Sequence, residues 1–135
     1  MPLNILKLSV GTESLEDLQR FVAHRQRTGT SFHTTRMVPK RIDELLDGGS
    51  LYWVIKGHVQ ARQTLTNIEP FTSADGIRRC RLHLAGELIP TRWVPRRPFQ
   101  GWRYLVEADA PPDLQAGETA LPAELQNELA DLGLL

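Results

Sequence analysis

The sequence predicts an α+β fold: a mostly antiparallel, curled sheet or pseudo-barrel with two N-terminal helices. Three observations predict it. Helical spacing of apolar residues occurs in two early stretches, 14–29 and 39–48. The second half of the chain alternates apolar and polar residues with period two. No helical stretch separates those alternating runs, which disfavours a doubly wound parallel sheet.

The elements follow in order. Leu3 to Val10 alternates, with Leu6, Leu8 and Val10 on one side and Lys7 and Ser9 on the other, a strand pattern. Gly11 and Thr12 turn the chain. Ser14 is placed to cap a helix whose first turn is acidic, and Leu15, Leu18, Phe21 and Val22 give it an apolar face ending at Gly29. Residues 31–37 read as a short extended piece. Pro39 suits the first position of a second helix carrying Ile42, Leu45 and Leu46, which Gly48 and Gly49 stop. Leu51 to Ile55 reads as a buried strand and Lys56-Gly57 as a tight turn, with a longer strand over 58–68. A Ser73–Gly76 turn leads to the clearest alternation, 77–84, where Cys80, Leu82 and Leu84 oppose Arg79, Arg81 and His83. Strands follow at 87–94 and 102–105, separated by a bend at Pro95–Pro98. Residues 1–109 thus form one α+β domain, and residues 110–135 an acidic, Pro-rich linker with a weak terminal helix over 121–134.

At 135 residues the chain is long enough to bury a core. No run approaches the roughly 20 apolar residues of a membrane span, and the N-terminus has no secretory pattern. The single cysteine, Cys80, excludes an internal disulfide. These features point to the cytoplasm and to no membrane partner. The formal net charge of zero conceals an asymmetry. Residues 20–103 hold 15 Lys and Arg against 6 Asp and Glu, whereas residues 104–135 hold none against 7. A basic body with an acidic tail suits an anionic partner, a self-docking tail or a solvated terminus.

The stretch RWVPRRPFQGWRYL, Arg92 to Leu105, concentrates the informative chemistry. It holds four of thirteen arginines and four of nine aromatic residues, stiffened by two prolines. Guanidinium groups bind phosphate or carboxylate and stack on rings, and aromatic faces stack on bases or pack in a core. Arg96 and Arg97 in the proline bend, with Arg62, Arg79 and Arg81 on strands, form a candidate basic surface for nucleic acid or an anion. Arg36, Lys40 and Arg41 precede the second helix and extend it, as does Lys56. Trp53, Phe99 and Trp102 are candidates for an aromatic pocket. Tyr52 and Trp53 point to opposite faces of one strand, so one belongs to the core and the other can line a pocket.

Enzymatic signals are thin. Cys80 lies on the inferred core face, which suits a small apolar role better than a nucleophile. The four histidines show no metal-ligand spacing, no Gly-x-Ser-x-Gly elbow occurs, and Gly48-Gly49-Ser50 is not a phosphate-binding loop. The opening MPLNIL resembles the start of tautomerase-superfamily chains, which implies Pro2 as a secondary-amine base on an anionic metabolite.

FHTTRMVPKR (32–41), LLDGGSLYWVIKG (45–57), Arg62-Gln63, GIRRC (76–80) and RRPFQGWRYL (96–105) together resemble an alphaproteobacterial family, domain of unknown function 1489. The resemblance covers roughly residues 2–114. The family carries no established activity, so it implies no reaction. This chain is short between Arg25 and Phe32 and has Ser9 where a cysteine is common, which argues against a thiol role there. The order of elements is more distantly similar to the PUA-like superfamily, including EVE and ASCH members. Those are small pseudo-barrels that bind RNA or modified bases, which implies a cleft near Lys40, Arg41, Trp53, Lys56, Arg62 and Trp102.

The sequence therefore favours a binding module for RNA, other nucleic acid or a nucleotide-like anion, with no cofactor and no metal. Two alternatives stand beside it. One is a small enzyme using Pro2 or a histidine as base; the other is an assembly module, which leaves a homodimer open.

Overall fold

The computed structural model describes residues 3–9, 12–29 and 32–114. Pro2, Val10 and Gly11, and the expected terminal helix at 121–134, lie outside the described residues. Among the described residues the chain forms a mixed, open sheet of seven strands with few helices. The strands are β1 (Leu3–Leu8), β2 (Phe32–Thr35), β3 (Ser50–Ile55), β4 (His58–Thr72), β5 (Arg78–Leu84), β6 (Ile89–Pro95) and β7 (Trp102–Val106). The helices are α1 (Leu15–Arg27) and α2 (Ile42–Leu46), with a short 3-10 turn at Glu107–Asp109.

The order across the sheet is β2-β5-β4-β3-β1-β7, with β6 also paired to β4. β1 runs parallel to β3 and antiparallel to β7; the other ladders are antiparallel. The terminal strands β2 and β7 are not joined, so the expected pseudo-barrel does not close. The long strand β4 explains why. Its first half lies between β3 and β6, its second half pairs β5, and the register slips near Gln60 and Thr66. Such bulges bend and twist a strand, so the sheet curls without meeting its other edge.

Local chemistry accounts for the connections. Ser14 caps α1, its hydroxyl accepting from the Asp17 amide at 3.1 Å. Lys56 and Gly57 both have positive φ, 47° and 81°, the two-residue hairpin turn whose twist matches the strands it joins. α2 is a single five-residue element that starts after Arg41, so Pro39 precedes it rather than opening it.

Apolar residues fill both faces of the sheet. The larger cluster, under α1 and α2, includes Leu18, Val22, Leu45, Leu51, Trp53, Cys80, Leu82 and Trp102. The smaller cluster on the opposite face holds Leu6, Tyr52, Val54, Val59 and Leu105, flanked by Val94 and Phe99. The strand alternation read from 77–84 is realised: Cys80, Leu82 and Leu84 are buried and the residues between them are partly exposed. No helix among the described residues is long and apolar enough to cross a membrane.

Gly49 marks a tight backbone crossing. A Cβ there would lie 2.2 Å from the Leu3 carbonyl oxygen and 2.3 Å from that of Leu45. The Gly49 amide donates to Leu45 O and its carbonyl accepts from the Leu65 amide, both at 3.0 Å. Backbone atoms surround the position and cannot step aside as a side chain can. Gly49→Ala is expected to cost about 3 kcal/mol, at the upper end for overpacking, read as a lowered midpoint in urea denaturation.

Candidate functional site

The Pro95–Pro98 bend builds an open pocket of about 430 Å³. β6 leaves the sheet where the Arg96 amide donates to the Gly57 carbonyl at 2.7 Å. Proline supplies no backbone N–H to a ladder, so the chain swings out before returning as β7. Arg96, Arg97 and Arg103 line the cavity with Phe99, Leu6 and Tyr104. The Arg103 guanidinium sits 5.4 Å from the Phe99 ring centroid and donates to the Gln100 and Trp102 carbonyls at 2.9 and 3.0 Å. Among the described residues no carboxylate pairs with Arg96, Arg97 or Arg103. Three guanidinium groups therefore face one cavity with their charge uncompensated by the described residues.

The other candidate cations fare differently. Arg79 is paired to Asp75 at 3.1 Å and bonded to the Ser73 hydroxyl at 3.0 Å. The Ser73 hydroxyl and Arg79 hold the Asp75 carboxyl down to about 2. Arg81 meets Glu69 at 3.4 Å and stacks over Phe71 and Phe32 at 4.3 and 5.2 Å. Neither lines the Arg96–Arg97 pocket. Arg41 pairs with Glu44 and lies 5.7 Å from the Tyr104 centroid. The Lys40 and Arg41 amides both donate to the Tyr104 hydroxyl, at 3.0 and 3.3 Å, so this basic turn and the pocket meet at edge strand β7. Lys56 lies 3.9 Å from Glu13, with both side chains exposed. Arg36 is exposed and away from the pocket.

The aromatic trio does not share a cavity. Trp53 is 2% exposed, its indole N–H donating to Gln63 Oε1 at 2.9 Å. Trp102 is 3% exposed and donates to the Met37 carbonyl at 2.8 Å. Both belong to the core under the helices, whereas Phe99 lies on the opposite face. Strand alternation dictates this: Trp53 faces the helices, and its neighbour Tyr52 lines a second pocket instead.

That second pocket, about 400 Å³, is bounded by Asn4, Ser50, Tyr52, Arg62, Glu107 and Asp113 among others. Arg62 clasps Asp113 through Nε and Nη2 at 2.7 and 2.8 Å, and its Nη1 donates to the Ser50 hydroxyl at 2.8 Å. The clasp raises the Arg62 pKa and lowers that of Asp113. Residues 110–114, expected as a linker, instead run along β6. Arg92 N donates to Pro112 O and Leu114 N to Pro90 O, at 2.9 and 3.0 Å. Asp113 and Glu107 were hidden in an acidic stretch with no local motif; only the pairing of residue 113 with Thr91 brings that stretch to Arg62.

His33 occupies the helix side of the sheet. Its ring meets the Trp53 indole edge-on, with centroids 4.9 Å apart. Burial, then the nearby positive charges of Arg25 and Lys7, push its pKa from the ordinary 6.5 to about 4. Among the described residues no three His, Cys, Asp or Glu side chains converge to hold a metal. Cys80 is fully buried and burial raises its thiol pKa. The depressed His33 value has a stability consequence. Between about 6.5 and about 4 the unfolded imidazole takes up a proton that the folded one refuses, so stability falls as pH drops through that window. His33→Gln should flatten this part of a stability-versus-pH profile measured by denaturant titration, leaving the rest unchanged.

No curated protein and no solved structure matches the chain. The model of one family, described as a protein of unknown function (DUF1489), matches residues 5–135. With nearly its whole length matched, the chain belongs to the DUF1489 family.

Proposed function

We propose that this protein is a binding module for a phosphate-bearing, nucleotide-like anion, held in the pocket of the proline bend. One observation carries the reading: Arg96, Arg97 and Arg103 face a single cavity of about 430 Å³ with no carboxylate partner among the described residues. Guanidinium groups in that state are complementary to phosphate, which they grip with paired N–H donors. Phe99, half-buried beneath Arg103, offers a ring surface to a planar group bound beside the anion. The basic surplus of residues 20–103 draws such a ligand from a distance. The PUA-like resemblance supports the same ligand class through a different set of side chains, of which Trp53 and Trp102 are core residues.

Replacing both Arg96 and Arg97 by Ala removes two charge-assisted contacts, each worth roughly 1.5–3 kcal/mol. The double variant should bind nucleoside monophosphates at least tenfold more weakly by titration calorimetry. With a short single-stranded RNA as probe, the slope of log K against log salt should flatten by about one to two. Failure of the intact protein to bind mononucleotides, pyrophosphate or RNA at low salt would overturn the reading. An unchanged salt slope alongside weakened mononucleotide binding would identify a free nucleotide as the ligand.

A further inference from the structure

The two pockets belong to one face of the sheet. Asn4 lines the polar pocket and Leu6 the arginine pocket. These residues are two apart on β1, so they share a face and lie about 7 Å apart along the strand. Tyr52 on β3 is the register partner of Leu6, and Arg103 on β7 is its partner on the other side. The face thus carries arginines at one end and carboxylates at the other.

The polar pocket is built from side chains that hydrogen bonds hold in place. Tyr52 is 5% exposed, and among the described residues its hydroxyl has no hydrogen-bond partner although it borders the cavity. The hydroxyl is open to the cavity and is free to donate to a ligand group there. Arg62 holds both Asp113 oxygens and the Ser50 hydroxyl, so one wall is fixed in place. Glu107 Oε2 accepts from Asn4 Nδ2 at 2.9 Å, which orients the carboxylate and leaves Oε1 to accept from a ligand. Arg62 compensates Asp113, whereas Glu107 has no cation paired to it among the described residues. The pocket therefore offers a strong acceptor beside a hydroxyl donor, and it repels phosphate.

We propose that this pocket is the base-reading half of the site and takes the amino edge of a nucleobase whose phosphate lies on Arg96 and Arg97. The assignment rests on the nucleotide reading of the arginine pocket. Adenine, cytosine and guanine each place an exocyclic amine next to a ring nitrogen acceptor. The amine donates to Glu107 and the neighbouring acceptor receives the Tyr52 hydroxyl. Uracil and hypoxanthine lack the amine, and their carbonyl oxygen would face the Glu107 carboxylate. The opposite charges of the two pockets also set the direction in which the ligand lies.

Titration calorimetry on the full chain tests this with CMP, AMP and GMP against UMP and IMP, and with pyrophosphate as a probe of the arginines alone. CMP and UMP differ only at C4 and N3, where the amine and its neighbouring ring acceptor are replaced by a carbonyl and an N–H. The amino-bearing nucleotides should bind about tenfold more tightly, the scale of one hydrogen bond to a charged group. Tyr52→Phe and Glu107→Gln should each erase most of that preference without changing pyrophosphate affinity. Glu107→Gln keeps an oxygen for Asn4, so it reports on recognition even if Tyr52→Phe perturbs the core. Equal affinity for all five nucleotides, with pyrophosphate still bound, overturns base recognition and leaves the arginine reading standing. Loss of pyrophosphate and all nucleotides together overturns both.

Discussion

The structure depends on the backbone hydrogen bonding of β4. Its 15 residues serve three partners: β3 along one side, and β6 then β5 along successive stretches of the other. A buried strand must pair its N–H and C=O groups, and β4 does so by bulging near Gln60 and Thr66 where partners change. Gln60 is 2% exposed and its side-chain amide donates to the Ile55 carbonyl at 2.9 Å, which ties the first bulge to the hairpin. The bulges bend the strand, and the bend prevents the seven strands from lying flat or closing.

The same constraint decides which arginines keep an uncompensated charge. An arginine inside a ladder has a fixed cross-strand neighbour, and that neighbour can be acidic. Arg81 is opposite Glu69 in the β4–β5 register, and the two are paired. Arg96 and Arg97 come just after β6 ends, where the prolines break the ladder and no strand faces them. Their charge is not cancelled by a ladder neighbour because they have none. The basic surplus of the central chain is thus partly spent on local pairs along β5 and concentrated, as usable charge, at the bend.

The position of β1 between β3 and the edge strand β7 brings the two pockets together. It is held between a parallel partner, β3, on one side and an antiparallel partner, β7, on the other. Side chains from β3, β1 and β7 therefore form a row on the face away from the helices, and both pockets open along it. Asp113 closes the far end by its clasp to Arg62, turning the start of the Pro-rich stretch into a wall.

Sequence periodicity determined the elements themselves. The Ser14 cap, the Lys56-Gly57 turn, the two-faced strand at 78–84 and the Pro95–Pro98 bend are all legible because each depends on residues within a few positions of one another. The prominence of Arg96 and Arg97 was legible for the same reason. Only the tertiary structure decided the rest. Alternation says that Tyr52 and Trp53 part company, but the helices, packed on one face through Leu18 and Leu45, decide that Trp53 is core and Tyr52 borders a pocket. The Arg62–Asp113 clasp joins residues 51 positions apart, and the parallel β1–β3 pairing spans α1, β2 and α2. Such contacts are set by which faces bury and which edges pair across the whole sheet, and no local pattern of residue types encodes them.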